Sequence, residues 1–194
     1  VISSVVAFFT TPNPKGFAFH PFGFPGKNPP FLSWASPFGR LSLLTSLVVF
    51  ILLLSGSVVA ASGASAACDG WPLCTPTTPL GWISLAHRGV VALSGLLVLA
   101  LLVQAWRTQR TQTAVLVSTT AAATLFFAQA LLGAKMVSGY PPYLLGLHQA
   151  AAAAAWAALV IQAAAAGIAR RTAADERAEV SLFAGRKGGL ALAK

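Results

Sequence analysis

The chain has 194 residues, of which 56% are hydrophobic and only 9% are charged, and its formal net charge is +9. Soluble globular domains carry about 25% charged residues, so this composition excludes an ordinary soluble domain. The basic excess is not accompanied by the base-reading or stacking groups of a nucleic-acid-binding surface, and we expect no nucleic-acid partner.

Residues 1–39 form a leader rich in proline and glycine, with eight phenylalanines between Phe8 and Phe38. Proline and glycine at this density disfavour a helix, and so much aromatic surface is not expected to stay in water. We therefore expect residues 8–38 to contact a protein partner or a larger membrane complex. The alternative is that the leader lies along the membrane surface. His20, within it, is interpreted as incidental.

Four apolar stretches follow, each about as long as the 20 residues needed to cross a bilayer core. They cover approximately residues 41–61, 84–106, 113–137 and 143–169. A backbone in contact with lipid must satisfy its own hydrogen bonds, which favours helices. The sequence thus predicts an all-α polytopic membrane protein. Its antiparallel four-helix transmembrane bundle covers residues 40–170, and a basic tail covers residues 171–194.

The lysines and arginines are distributed unevenly across the predicted membrane. Only Arg88 and Lys135 fall on one side, and the other eleven of the 13 basic residues fall on the opposite side. The positive-inside rule then predicts that both termini lie on the cytoplasmic side of a bacterial plasma membrane or an organellar inner membrane. The net charge is therefore mainly a signal of topology.

Cys68 and Cys74 are the only two cysteines, and both lie in the predicted outer loop between the first two spans. An oxidising outer compartment favours a disulfide between them, either structural or reducible. A metal site is the weaker interpretation, because only two soft ligands are present. A redox-active dithiol is a further alternative, although the spacing differs from the familiar Cys-x-x-Cys motif.

His87 and His148 lie at similar depths in the second and fourth spans, near the predicted outer face. Their offset in depth is only about half a helical turn. Neutral imidazole is a good haem ligand, and a pair of them gives a six-coordinate iron. The alternative is that each histidine only hydrogen-bonds to a carbonyl or to interfacial water. Because ionisable residues are costly inside a membrane, the matched pair favours two axial ligands of one haem.

Arg88 and Lys135 fit the same hypothesis. Both lie near the predicted outer mouth of the bundle, where the propionates of a haem would emerge. Arginine holds a carboxylate through two hydrogen bonds. The alternative is that both side chains extend to the outer headgroups of the lipid.

Several sequence segments together carry a family resemblance. They are Ser55–Val59, Ser62–Gly63, Trp71–Cys74, His87–Arg88, Gln129–Gly133, Tyr140–Pro142 and Leu147–His148. In this combination they resemble the amino-terminal four-helix half of haem A synthase, over about residues 38–170 of the chain.

The resemblance implies an enzyme built from two four-helix halves, each offering a histidine pair to a haem. That enzyme oxidises a methyl group of haem O to the formyl group of haem A, and some prokaryotic members are half-length. For this chain the resemblance implies that His87 and His148 are axial ligands. It also implies that Cys68 and Cys74 form a disulfide near the pocket.

One position departs from the family pattern. A glutamate usually stands three residues before the first histidine, and this chain has Ser84 there. Serine cannot serve as a general base of comparable strength, so haem binding is better supported than catalysis. Two functions are therefore expected: a haem A synthase-type oxidoreductase with a b-type haem or haem O/A, or a non-catalytic accessory subunit. Such a subunit would hold haem, another pigment or only lipid within a respiratory or photosynthetic complex.

Overall fold

A computed structural model describes residues 36–68, 70–137 and 143–191. Most of the leader, including the partner contact expected for residues 8–38, lies outside the described residues. The described chain forms four α-helices and one 3-10 turn, Ala64–Ala66. The helices are α1 (Pro37–Ser62), α2 (Pro79–Thr108), α3 (Thr113–Met136) and α4 (Tyr143–Ala191).

All four helices are long and apolar enough to cross a membrane. Within the ranges that the structure describes, no strand is present. The predicted all-α architecture with four transmembrane helices is therefore confirmed. The many exposed large apolar side chains on the helix surfaces are those that contact lipid in such a bundle.

Helices α1 and α2 begin a few residues before their predicted spans because side chains cap them. Ser36 Oγ accepts a hydrogen bond of 2.9 Å from the amide of Gly39, and Pro37 occupies the first turn. Thr78 Oγ1 accepts one of 3.2 Å from the amide of Gly81 in the same way. A capping residue followed by proline is a common start of a helix, whatever the hydropathy of the first turn.

Helix α4 continues well past its predicted end near residue 169 and reaches Ala191. Residues 172–181 are all exposed, so this part of the helix extends beyond the packed bundle. The residues of the predicted basic tail up to Ala191 thus continue the fourth helix.

The helices pack as a ring in which α1 and α3 each contact both α2 and α4. Helices α2 and α4, which carry the two histidines, therefore lie across the diagonal of the bundle. The 63–78 connection between α1 and α2 marks one end of the bundle, here called the disulfide end.

Buried apolar side chains fill only the half of the bundle away from the disulfide end. The limits of this core are Leu52 on α1, Leu97 on α2, Phe126 on α3 and Ala155 on α4. Beyond those levels, the buried apolar residues of the described chain are Ala64 and Cys68, both in the connection. The buried apolar core is therefore confined to the half of the bundle away from the disulfide end.

Small residues let the helices approach within the packed half. A Cβ atom placed on Gly95 would lie 3.3 Å from Phe126 Cε1, whereas one placed on Gly89 would meet nothing within 4 Å. Only Gly95 is therefore needed for close packing between α2 and α3. Gly89 has no such role, because a Cβ atom there would face open space.

Replacing Gly95 with valine should lower the free energy of unfolding by about 1 to 3 kcal/mol, because the added carbons overpack against Phe126. The matched control on the same helix is Gly89→Val, which should change it by only about 0.5 kcal/mol or less. Unfolding in mixed detergent micelles measures both. Equal effects at the two positions would contradict the close contact at Gly95.

Candidate functional site

His87 is held by a hydrogen bond from its own helix α2 to helix α1. Its Nδ1 lies 2.8 Å from Ser55 Oγ. Ser55 donates its single hydroxyl hydrogen to the carbonyl of Leu52, at 2.8 Å. When the hydroxyl donates to this carbonyl, its oxygen accepts from His87 Nδ1, an arrangement that leaves a lone pair on Nε2.

His148 is held in a corresponding way from α4 to α3. Its Nδ1 lies 2.8 Å from the backbone carbonyl oxygen of Gln129. A carbonyl can only accept, so this imidazole also carries its proton on Nδ1 and keeps a lone pair on Nε2. Both histidines thus have the tautomer in which Nε2 can bind a metal ion.

A glycine on the neighbouring helix makes room for each imidazole. A Cβ atom on Gly56 would lie 3.3 Å from His87 Cε1, and one on Gly133 would lie 3.0 Å from His148 Cε1. Any side chain at these two positions would push against the ring. The glycines therefore fix how closely each imidazole approaches the helix behind it.

The two helical hairpins repeat one arrangement. The carbonyl behind each imidazole stands four residues before the glycine: Leu52 before Gly56, and Gln129 before Gly133. In the second hairpin the histidine bonds to that carbonyl directly. In the first, the hydroxyl of Ser55 lies between the imidazole and the carbonyl.

Both histidines lie near the disulfide end of the bundle, on helices that face each other across the diagonal. Both are only half-buried. At 1.5 Å per residue, His87 lies about 15 Å from the core level at Leu97, and His148 lies about 10 Å from the level at Ala155. Both imidazoles thus lie outside the level of the buried apolar core.

Arg88 binds the connection between α1 and α2. Its guanidinium donates to the carbonyl oxygens of Cys68 at 2.8 Å, Gly70 at 2.7 Å and Pro72 at 3.4 Å. These three carbonyls belong to the ring closed by a Cys68–Cys74 disulfide, whose Cα atoms are 5.7 Å apart. The disulfide ring is therefore held by the residue that directly follows His87.

The other predicted site residues lie near the same end. Lys135 is exposed in the last turn of α3, and Ser84 is buried one helical turn before His87. The described carboxylates, at positions 175, 176 and 179, are exposed on the α4 extension. They stand about 40 Å along the helix from His148, too far to act on the same group.

Two contacts were not assigned from the sequence. Ser55 and Gln129 lie in segments that carried the family resemblance, but nothing in the sequence assigned them the task of orienting a histidine. The acceptor at position 129 is a backbone carbonyl, so the residue type there gives no indication of the contact with His148. A serine directly before a glycine in an apolar span was the available signal for the first contact.

A family of cytochrome oxidase assembly proteins, COX15-CtaA, matches residues 76–192 of the chain. The match covers more than half of the sequence and includes both His87 and His148. The chain belongs to this family. The relationship to haem A synthase that the sequence motifs indicated is therefore confirmed over part of the chain.

This chain is similar to proteins with two kinds of name. It is 38% identical over 131 residues to protohaem IX farnesyltransferase 1 of Natronomonas pharaonis, covering 64% of this chain and 27% of that protein. A protohaem IX farnesyltransferase of Chloroflexus aurantiacus is 38% identical over 107 residues, or 53% and 18% of the two chains. Haem A synthase of Alkalihalophilus pseudofirmus is 34% identical over 128 residues, or 62% and 43%. The chain spans less than half the length of each.

Replacing Gly133 with alanine should displace the imidazole of His148 and weaken its bond to Gln129, because the new methyl group would lie 3.0 Å from Cε1. Nitrogen NMR of histidine-labelled protein reports which ring nitrogen is protonated. The His148 signals should change while those of His87 stay constant. Gly146→Ala is the matched control, since its added carbon meets nothing within 4 Å. Unchanged His148 signals in Gly133→Ala would contradict this packing.

Replacing Arg88 with alanine should make the Cys68–Cys74 disulfide easier to reduce, because the ring loses its three carbonyl contacts. A hydrogen bond to a charged group contributes about 1.5 kcal/mol, so reduction by dithiothreitol should be roughly tenfold faster. Arg107→Ala removes the same charge at the far end of α2 and should leave the rate unchanged. Equal rates in the two variants would show that Arg88 does not hold the ring.

Proposed function

We propose that this protein binds one haem in the half of the bundle nearer the disulfide end, with His87 and His148 as its axial ligands. The observation that supports the proposal is the matched hydrogen bonding of the pair. Each imidazole has its Nδ1 hydrogen bonded to the helix behind it, which leaves an Nε2 lone pair for iron. Hydrogen bonds of this kind orient the ring and raise the basicity of the ligand.

The donor set and its surroundings fit a haem. Two neutral imidazoles are the ligands of a six-coordinate haem iron, and the apolar core ends well before their level. Lys135, at the end of α3, and Arg88, beside His87, place positive charge where propionates would emerge. The Arg88 guanidinium donates to the disulfide ring, so we assign it a supporting charge beside the site, together with that of Lys135.

We further propose that the bound group undergoes haem A synthase-type chemistry, in which the methyl group of haem O is oxidised to the formyl group of haem A. This four-electron oxidation takes its oxygen atom from water or O2, and its four electrons pass to an acceptor outside this chain. A haem in this site would supply the redox-active iron. The chain's own residues bind the group and orient its two ligands. Ser84 replaces the expected carboxylate, and the described acidic side chains are remote. Proton transfer in the reaction is therefore assigned to water or to a second haem-binding unit.

A second candidate is a non-catalytic haem-binding subunit, and a specific observation favours it. Segments similar to this chain make up 27% and 18% of two proteins named protohaem IX farnesyltransferase. A unit of this type can thus belong to a protein that modifies protohaem. The chain would then hold a haem for such a partner, and Ser84 is compatible with that role.

The proposed orientation places the disulfide end outside the membrane and both termini on the cytoplasmic side. The distribution of basic residues supports it, since eleven of the 13 belong to the opposite end of the bundle or to the terminal segments. An oxidising outer compartment also suits the Cys68–Cys74 disulfide.

The purified protein should give the reduced-minus-oxidised spectrum of a low-spin bis-histidine haem, which His87→Ala and His148→Ala should each abolish. His20→Ala, at the remaining histidine of the chain, is the matched control and should leave the spectrum unchanged. A wild-type protein without haem absorbance would contradict the ligand pair. Expression with a haem O source then separates the two functions by chromatography. Haem A among the products supports the oxidation, and bound haem without haem A supports the accessory role.

A further inference from the structure

The disulfide ring, which covers residues 68–74, exposes two large apolar side chains. Trp71 is 61% exposed and Leu73 is 73% exposed. Large apolar side chains that lie close together on a surface commonly mark a contact with lipid or with another protein. Tryptophan is enriched where a membrane meets water, because its ring is apolar and its indole N–H is polar. A partner with apolar groups is therefore expected for this surface.

The backbone of the ring is satisfied from the protein side. The carbonyl oxygens of Cys68, Gly70 and Pro72 all accept hydrogen bonds from the Arg88 guanidinium. A carbonyl without a partner is costly in an apolar medium, and acyl chains cannot supply a donor. Arg88 supplies one at every second residue, and the two exposed apolar side chains belong to the positions directly after Gly70 and Pro72. The ring thus combines bonded carbonyls with exposed apolar side chains.

Helix α2 presents a continuous apolar surface that reaches the disulfide end. Its exposed residues recur at intervals of three or four, as on one face of a helix. From the disulfide end these residues are Trp82, Ala86, Gly89, Leu93 and Leu96. Trp106 is exposed near the other end of the helix, about 36 Å from Trp82 at 1.5 Å per residue. A bilayer is about 30 Å thick in its hydrocarbon core and about 40 to 45 Å with its headgroups, so the two tryptophans suit opposite interfaces.

Arg88 sets the level of the ring along this surface. It lies about 9 Å farther along α2 than Trp82, towards the middle of the helix. Side chains on a helix point back towards its N-terminus, and arginine extends its charged end towards the interface. The guanidinium therefore reaches back towards the level of Trp82, and the carbonyls that it binds lie near that level. The ring is thus placed at the depth of an interfacial tryptophan.

We propose that the disulfide ring is an interfacial anchor, which inserts Trp71 and Leu73 among the headgroups and upper acyl chains of the leaflet at the disulfide end. Arg88 makes the insertion possible because it satisfies three carbonyls of the ring. The disulfide closes the ring and keeps these carbonyls directed at one cation. Lipid is the partner because the lipid-facing surface of α2 continues to the same level through Trp82. The inference does not depend on the proposed haem site.

The first test measures the depth of Trp71 by fluorescence in phosphatidylcholine vesicles brominated near the headgroup. Each variant keeps one of the five tryptophans and has phenylalanine at the other four. The Trp71-only protein should lose at least about half of its emission, because interfacial tryptophans lie at the level of the bromines. The Trp82-only protein is the matched reference and should be quenched to a similar extent. Trp71→Phe in the otherwise native protein gives the same contribution by difference, without the fourfold substitution.

Two results of this test would overturn the inference. If the ring stood in water, acrylamide dissolved in the water would quench Trp71 strongly and the brominated lipid would not. If another protein surface covered the ring, Trp71 would be protected from both quenchers. Quenching by brominated lipid together with weak quenching by acrylamide is the result expected for insertion.

The second test removes the donor to the ring. In Arg88→Ala the three carbonyls must bond to water, so the ring should leave the interface. Quenching of Trp71 by brominated lipid should fall and quenching by acrylamide should rise. Quenching of Trp82 should stay the same, since α2 remains in the membrane. Arg107→Ala, at the far end of α2, is the matched control and should change neither signal. Unaltered quenching of Trp71 in Arg88→Ala would overturn the role of Arg88 in the anchor.

Discussion

The site depends on hydrogen bonds from the Nδ1 atoms of two imidazoles to the helices behind them. Each bond orients its imidazole and joins two neighbouring helices. A glycine on the receiving helix permits the close approach in both cases. Inside a membrane, where polar groups must find partners within the protein, such bonds also help to hold helices together.

The two halves of the bundle differ in what they contain. The half away from the disulfide end contains the apolar core, with Phe126 and Leu101 almost completely buried. The other half contains few buried apolar residues, and its polar groups are arranged around the diagonal between α2 and α4. Arg88 links this half to the disulfide ring through three backbone carbonyls. The disulfide ring is therefore connected by hydrogen bonds to the helical turn that carries His87.

Much of the fold could be predicted from hydropathy, because lipid imposes length and composition on every span. Counting along those spans also placed His87 and His148 near the same end of the bundle, where the structure has them. Hydropathy could not give the starts of α1 and α2, which depend on capping by Ser36 and Thr78. It also missed the extension of α4, since an exposed helix has no apolar run. The role of Ser55 depends on an interhelical distance that no local pattern encodes.

A bundle whose buried apolar core is confined to one half has a consequence for its thermodynamics. A molecule that binds at the disulfide end, and not to the unfolded chain, would add a stabilising free energy that depends on its concentration. This gain would be about 2.7 kcal/mol when the free ligand is a hundred times its dissociation constant. The melting temperature would then measure occupancy, whereas the apolar core contributes the same stabilisation with or without the molecule.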